Sequence, residues 1–218
     1  MLEAKKGKIE MDYKTYFSRQ ARKPAGIFGR FYMARLFEKR NAELNSFIFK
    51  MLSTGKNDHV LEIGFGTGSL MKKIADSLEN GVVEGIDFSE LMVAMAQRKN
   101  RKHIKNGKAK IHSGNFNDAL FDGNSFDEIV SVNTIYFWEN PSETLSQIYR
   151  LLRPGGKLFV GFHEKSEMEK EPLCKNIFQY YSTQDMVELL SVRGSLNNIK
   201  IVSQKGRQKT CFCAIGSK

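Results

Sequence analysis

Two carboxylates and three glycines carry most of the chemistry legible in this chain. Glu62 stands two residues before Gly64, which is followed at single-residue spacing by Gly66 and Gly68, and Asp87 closes the apolar run that begins at Val82. Glycines this close together let the backbone turn through conformations closed to residues with a Cβ and lie flat against a ligand. A dinucleotide site uses G-x-G-x-x-G, with the third glycine opening a helix for a pyrophosphate. Here the order is G-x-G-x-G. A carboxylate at position 62 would repel a pyrophosphate, but it suits a ligand bearing an ammonium or sulfonium. The plainer role of Glu62 is to tie down its own loop.

The surrounding pattern supplies elements to position these groups. The run from Asp58 reads as a short apolar strand that ends in the acidic Glu62 and the glycines. Leu70, Met71, Ile74, Ala75 and Leu78 make one apolar stripe of a helix that carries Lys72, Lys73, Asp76 and Glu79 on its other face. Ser89 is placed to cap a helix with Leu91, Met92, Met95 and Ala96 on one side. Lys110 to Ser113 is a weak strand. Asn140-Pro141-Ser142-Glu143 has the cap, proline and glutamate of a helix start, predicting a helix through Leu145, Ile148 and Leu152 that Pro154-Gly155-Gly156 stops. Lys157 to Phe162 then reads as a strand, and Ser182 or Thr183 starts a helix through Met186, Val187 and Leu190. Ile199 to Ser203 and Thr210 to Ile215 make two late strands. Strands alternating with helices imply an α/β fold, a parallel sheet with both faces covered.

Residues 1–50 stand outside that alternation. Lys14 to Pro24 mixes aromatic and basic residues, and Gly26 and Gly29 break any long helix before one from about Met33 to Leu52. We read 1–50 as a basic, aromatic lid over the ligand end of a domain formed by residues 51–218, with a packing arm as the alternative. The segment from His163 to Tyr181 would complete the walls.

In this order, the motifs resemble those of the class I S-adenosylmethionine-dependent methyltransferases. Leu61-Glu62-Ile63-Gly64-Phe65-Gly66-Thr67-Gly68 resembles the first motif, Val82 to Ser89 the second strand, Ser125 to Asn133 the fourth, and Leu151 to Leu158 the turn into the fifth. Four motifs in register span roughly residues 55 to 165. The resemblance implies a Rossmann-like, doubly wound, mostly parallel seven-stranded sheet with one antiparallel strand near its end, and S-adenosylmethionine as cofactor. Within the family, the pattern is nearest to the quinone C-methyltransferase-like group (methyltransferase type 11).

Cofactor contacts carry over by position. The resemblance implies that Gly64, Gly66 and Gly68 approach the methionine and ribose portions, that Glu62 orients the ammonium through water, and that Asp87 accepts from both ribose hydroxyls. Phe88 and Met92 would sandwich the adenine, though both are also plain core candidates. Gly114-Asn115-Phe116 departs from the family, which often has an aspartate at the position of Asn115; the amide oxygen can still accept from the adenine amino group. Asn133 would lie by the methionine moiety. Because a sulfonium is already activated, transfer chiefly needs the acceptor held close, and a base only where the acceptor must lose a proton. The candidate bases are His163, Tyr136 and Tyr16. Tyr136-Phe137-Trp138 would sit at the cleft mouth, able to stack on a planar substrate.

Composition sets outer bounds. At 218 residues the chain fits one domain without a staple. Cys174, Cys211 and Cys213 give an odd count without metal-ligand spacing, so no metal is expected and a reducing cytoplasm is the simplest home. The first residues lack the apolar core of a signal peptide, and no apolar run is long enough for a membrane span. The formal charge is +10, and residues 1–50 hold twelve Lys/Arg against five Asp/Glu. Such a surplus could draw RNA, an anionic membrane surface or an acidic small substrate, or simply solubilise the surface. We therefore expect a methyltransferase acting on a small-molecule substrate. An RNA methyltransferase is the alternative, and nucleic acid is the less favoured partner, because Asn133-Thr134-Ile135-Tyr136 lacks the Pro-Pro of the amino-directed RNA and DNA enzymes. A non-catalytic S-adenosylmethionine-binding protein is a third reading.

Overall fold

The computed structural model describes residues 15–20, 22–23, 34–171 and 177–218. Most of the expected lid, including Gly26 and Gly29, and Cys174 in the expected wall lie outside the described residues. Residues 15–20 are helical. The long helix α1 covers Ala34–Met51, as the apolar spacing predicts to within a residue at either end.

Seven strands form one sheet. They are β1 (His59–Ile63), β2 (Val82–Asp87), β3 (Ala109–Ser113), β4 (Phe126–Val132), β5 (Leu152–Phe162), β6 (Asn197–Lys205) and β7 (Thr210–Ser217), in the order β3-β2-β1-β4-β5-β7-β6. Pairings from β3 across to β5 are parallel, and β7 runs antiparallel to both of its neighbours. The order reverses direction between β1 and β4, so the two crossovers diverge there and open a crevice beyond the carboxyl ends of those strands. Both the glycine turn after β1 and Asn133 after β4 lie at that crevice.

Helices α2 (Ser69–Ser77) and α3 (Glu90–Lys105) join α1 on one face, while α4 (Pro141–Leu151) lies on the other. Alternate strand residues divide accordingly. Val60, Val83, Val130 and Phe159 pack with Leu44 and Ile48 of α1 and Leu70 and Ile74 of α2. Leu61, Ile86, Ile129 and Leu158 pack with Leu145 and Ile148 of α4. Both faces being covered explains the near-continuous apolar strands. The stripe expected on α2 is buried as read, whereas Ser89 stands at the N-cap of α3 without a side-chain capping bond. Its N–H instead donates to Asp87 Oδ1 at 2.9 Å. Asn140 caps α4 with Pro141 at the helix start, and Ser182 forms a capping box with Asp185 ahead of α6 (Thr183–Glu188), beyond the short α5 (Lys165–Met168). Pro154-Gly155-Gly156 does not precede β5 as expected. It forms an irregular stretch inside the strand, where the register against β4 shifts and Gly155 adopts φ +78°.

Candidate active site

The crevice opens into a cavity of about 1260 Å³. One end is built from strand termini. After β1, Gly64 and Gly66 hold φ of +72° and +53°, and the Gly64 N–H donates to the Ile86 carbonyl at 2.8 Å. A Cβ on Gly66 would meet nothing within 4 Å among the described residues, so it would project into open space, and Gly66 borders the cavity. A Cβ on Gly64 would strike the Thr134 methyl group at 2.4 Å. Gly68 answers a different need. It does not line the cavity, and its missing side chain admits Asn100 and Ala96 of α3, whose atoms would lie 2.7 and 2.8 Å from a Cβ. At Gly68 the missing side chain therefore serves the packing of the turn against α3. Asn100 is fully buried and donates to the Gly68 carbonyl at 3.1 Å, a support that the sequence reading missed.

Asp87 ends β2 at the cavity wall. Its Oδ2 accepts the Gly66 N–H and its Oδ1 the Ser89 N–H, both at 2.9 Å. Burial pushes its carboxyl up to about 6, against the lowering pull of those two N–H groups. Each oxygen keeps an acceptor site beyond its backbone bond. Glu62 is buried near the end of β1. Only 3% exposed, it lies off the cavity lining, and burial pushes its carboxyl up to about 8 despite an N–H from Met71. Burial thus favours the protonated form of Glu62 near neutral pH, and its Oε2 has no partner among the described residues.

Phe88, Met92, Asn115 and Phe116 all line the cavity beside Asp87. The Asn115 amide oxygen accepts the Asn117 N–H at 3.3 Å, which fixes the side chain at the start of a short turn and leaves one lone pair for a ligand. Across the crevice Asn133 sits at φ +57°, its N–H bound to the Gly161 carbonyl at 2.9 Å and its Nδ2 donating to Asn41 Oδ1 of α1 at 2.8 Å. Its Oδ1 is buried without a partner among the described residues, which is rare for a buried polar atom unless a ligand supplies one. The open space at Gly66, the spare acceptor sites of Asp87 and the orphaned Asn133 oxygen all suit a cofactor with ribose hydroxyls and an amino-acid tail.

The other end of the cavity is walled by Phe137, Trp138, Phe178, Met168, Cys211 and His163. His163 follows β5, and its Nδ1 is 2.9 Å from the Thr210 carbonyl. A carbonyl only accepts, so Nδ1 carries the proton and Nε2 presents a lone pair in the neutral ring. Burial lowers its ionisation below the ordinary histidine range, the Thr210 bond opposing. Tyr136 lines the same chamber, but its hydroxyl accepts the His163 N–H at 2.6 Å and donates to the His163 carbonyl at 3.2 Å. Burial raises its ionisation far out of range, and both of its bonds hold the backbone of His163. Tyr16 is 47% exposed and is not among the lining residues, so it is not brought to the site, whereas its neighbour Phe17 is. Cys211 and Cys213 face the α1 layer, and burial pushes their thiols up to about 11 and about 12, so neither is a ready nucleophile.

A strand–glycine turn–helix at a topological switch point, with an acidic residue closing the next strand, defines a nucleotide-cofactor enzyme of the α/β class. The chain belongs to the S-adenosylmethionine-dependent methyltransferases: residues 61–160 match the methyltransferase domain family. It is 31% identical over 138 residues to a Bacillus subtilis protein named "Putative methyltransferase YrhH", a match covering 63% of this chain and 73% of that one. It is 30% identical over 129 residues to the demethylmenaquinone methyltransferase of Lactiplantibacillus plantarum, covering 59% of this chain but only 53% of that protein. Among solved structures, a SAM-dependent methyltransferase from Aquifex aeolicus superposes with a TM-score of 0.68 at 22% identity, over 84% of this chain and 95% of that one, which shows the shared fold.

Proposed function

We propose that this chain moves a methyl group from S-adenosylmethionine to a small-molecule acceptor enclosed in the chamber beyond Asn133. The observation that carries this reading is the size and lining of the cavity. At about 1260 Å³ it exceeds the roughly 300–1,000 Å³ of a pocket for one ligand. Its wall combines the aromatic Phe137, Trp138 and Phe178 with charged side chains, a setting for a compact organic molecule. S-adenosylmethionine brings a methyl group on an already cationic sulfur. The chain's residues bind and align. Asp87 accepts from the ribose hydroxyls, Gly64 and Gly66 give the backbone close approach, and Asn133 with Asn41 takes the amino-acid tail. Phe137, Trp138 and Phe178 enclose the acceptor and exclude water. Where the acceptor must lose a proton, His163 Nε2 receives it, held in the right tautomer by Thr210 and in place by Tyr136. That one similar protein is named for demethylmenaquinone, a quinone and not a nucleic acid, supports the reading.

Residues 1–50 act in this proposal as a lid of which α1 is the anchored part, since Leu36, Lys39, Arg40 and Asn41 border the cavity. The test has two arms. S-adenosylmethionine should raise the melting temperature while NAD does not, and equal indifference to both removes the cofactor assignment. Transfer of tritiated methyl to a metabolite extract, and not to total RNA, is then expected. Label confined to RNA overturns the small acceptor.

A further inference from the structure

Resting on the small-molecule reading above, we infer that the acceptor is an anion, an apolar body carrying a carboxylate or phosphate that sits between Lys39 of α1 and Arg207 of the β6–β7 turn. The same stretch of cavity wall presents Lys39, Arg40, Arg207 and Lys209 against two carboxylates, Glu43 and Glu171. Both carboxylates are already engaged. Glu171 Oε1 is 2.7 Å from Lys209 Nζ and its Oε2 is 3.2 Å from an Arg40 nitrogen. Glu43 accepts the Arg207 backbone N–H through both oxygens, at 3.1 and 3.0 Å.

These bonds give the wall its geometry. Glu171 draws α1 and the β6–β7 turn onto the segment after α5, and Glu43 pins the turn directly to α1. Lys39 lies one helical turn before Glu43 and so on the same helix face. Arg207, whose backbone Glu43 holds, is therefore beside it. Neither the Lys39 ammonium nor the Arg207 guanidinium has an ion-pair partner among the described residues, and both border the cavity. Two cations without ion-pair partners among the described residues thus belong to neighbouring stretches of the wall, while Arg40 and Lys209 are paired with Glu171. Cavity walls of low dielectric focus such a field on a ligand inside. Phe137, Trp138 and Phe178 line the chamber as well, which accounts for the apolar body.

Calorimetry on the full chain saturated with S-adenosylhomocysteine tests this with two probes of one shape, phenyl phosphate and phenol. Phenyl phosphate should bind about tenfold or more tightly than phenol, and lose most of that margin between about 0.05 and 0.5 M salt. The double variant Lys39→Glu/Arg207→Glu should lose the preference and leave S-adenosylhomocysteine affinity within about twofold. A melting curve like that of the wild type shows the variant is folded, and the single variants serve if it is not. Equal binding of the two probes, binding of neither, or an unaltered preference in the variants overturns the anion site. Failure of S-adenosylhomocysteine itself to bind wild type overturns the underlying function, a distinguishable result.

Discussion

Replacing Asp87 by alanine should weaken cofactor binding and abolish its dependence on pH. In the wild type the carboxylate holds the Gly66 and Ser89 N–H groups at 2.9 Å and keeps one acceptor site per oxygen for the ribose. Hydrogen bonds to a charged group contribute about 1.5–3 kcal/mol each, and water entering the truncated site recovers part of two such bonds. The net loss is about 2–3 kcal/mol, or roughly 30- to 150-fold in Kd. The sign of the pH effect follows from burial, which pushes this carboxyl up to about 6 in the free protein. Binding needs the ionised form, so affinity is nearly full at pH 7. At pH 5 about one molecule in ten is ionised, and affinity falls by roughly tenfold. The raised value also makes the folded, empty protein less stable as pH climbs from about 4 to 6, because there the unfolded chain has released a proton that the folded one retains. Titration calorimetry with S-adenosylhomocysteine at both pH values, on both proteins, measures all of this. Wild-type affinity in Asp87→Ala would place the ribose elsewhere, and a surviving tenfold slope would assign the titration to another group.

His163→Asn leaves a side-chain donor near the Thr210 carbonyl but removes the Nε2 lone pair, so turnover with a proton-bearing acceptor should fall about 10²- to 10⁴-fold with cofactor Kd unchanged. In the wild type, kcat should decline as pH drops through the lowered histidine value, below about 6.5, and that limb should vanish in the variant. Gly66→Ala puts a Cβ at φ +53° and into the open space of the cavity; the strain of about 1–2 kcal/mol should lower Tm by a few degrees, and calorimetry should show weaker cofactor binding. Glu84→Gln should cost about 2 kcal/mol in urea unfolding at pH 7, because Glu84 is 8% exposed and holds His59, His112 and Lys110 at 2.8, 2.6 and 3.0 Å. Burial would raise the Glu84 carboxyl, but those partners hold it well below the carboxylate range. Its contribution is therefore present above about 4.3 and is lost as pH falls, so the gap between wild type and variant should close in acid.

The sequence by itself determined the local features. Glycine spacing fixed the turn after β1, alternation of apolar runs fixed an α/β fold, and position within the motif brought Asp87, Phe88, Met92, Asn115, Phe116 and Asn133 to one cavity, because each sits within a few residues of a strand end. Local signals of that kind depend on backbone freedom and side-chain periodicity, which neighbours in the chain largely decide. Where partners come from distant segments, only the tertiary structure decided. Glu62 and Gly68 belong to the right motif, yet one is sealed behind the turn and the other packs on α3, because what α2 and α3 press against is invisible in a run of glycines. The bond from Asn133 to Asn41 spans 92 residues, and that from His163 to Thr210 spans 47. Arg40, Glu171 and Lys209 read as scattered surface charges until the reversed strand β7 brings the β6–β7 turn against α1. Strand order is a property of the whole sheet, set by which faces can be buried together, and no single stretch of residues encodes it.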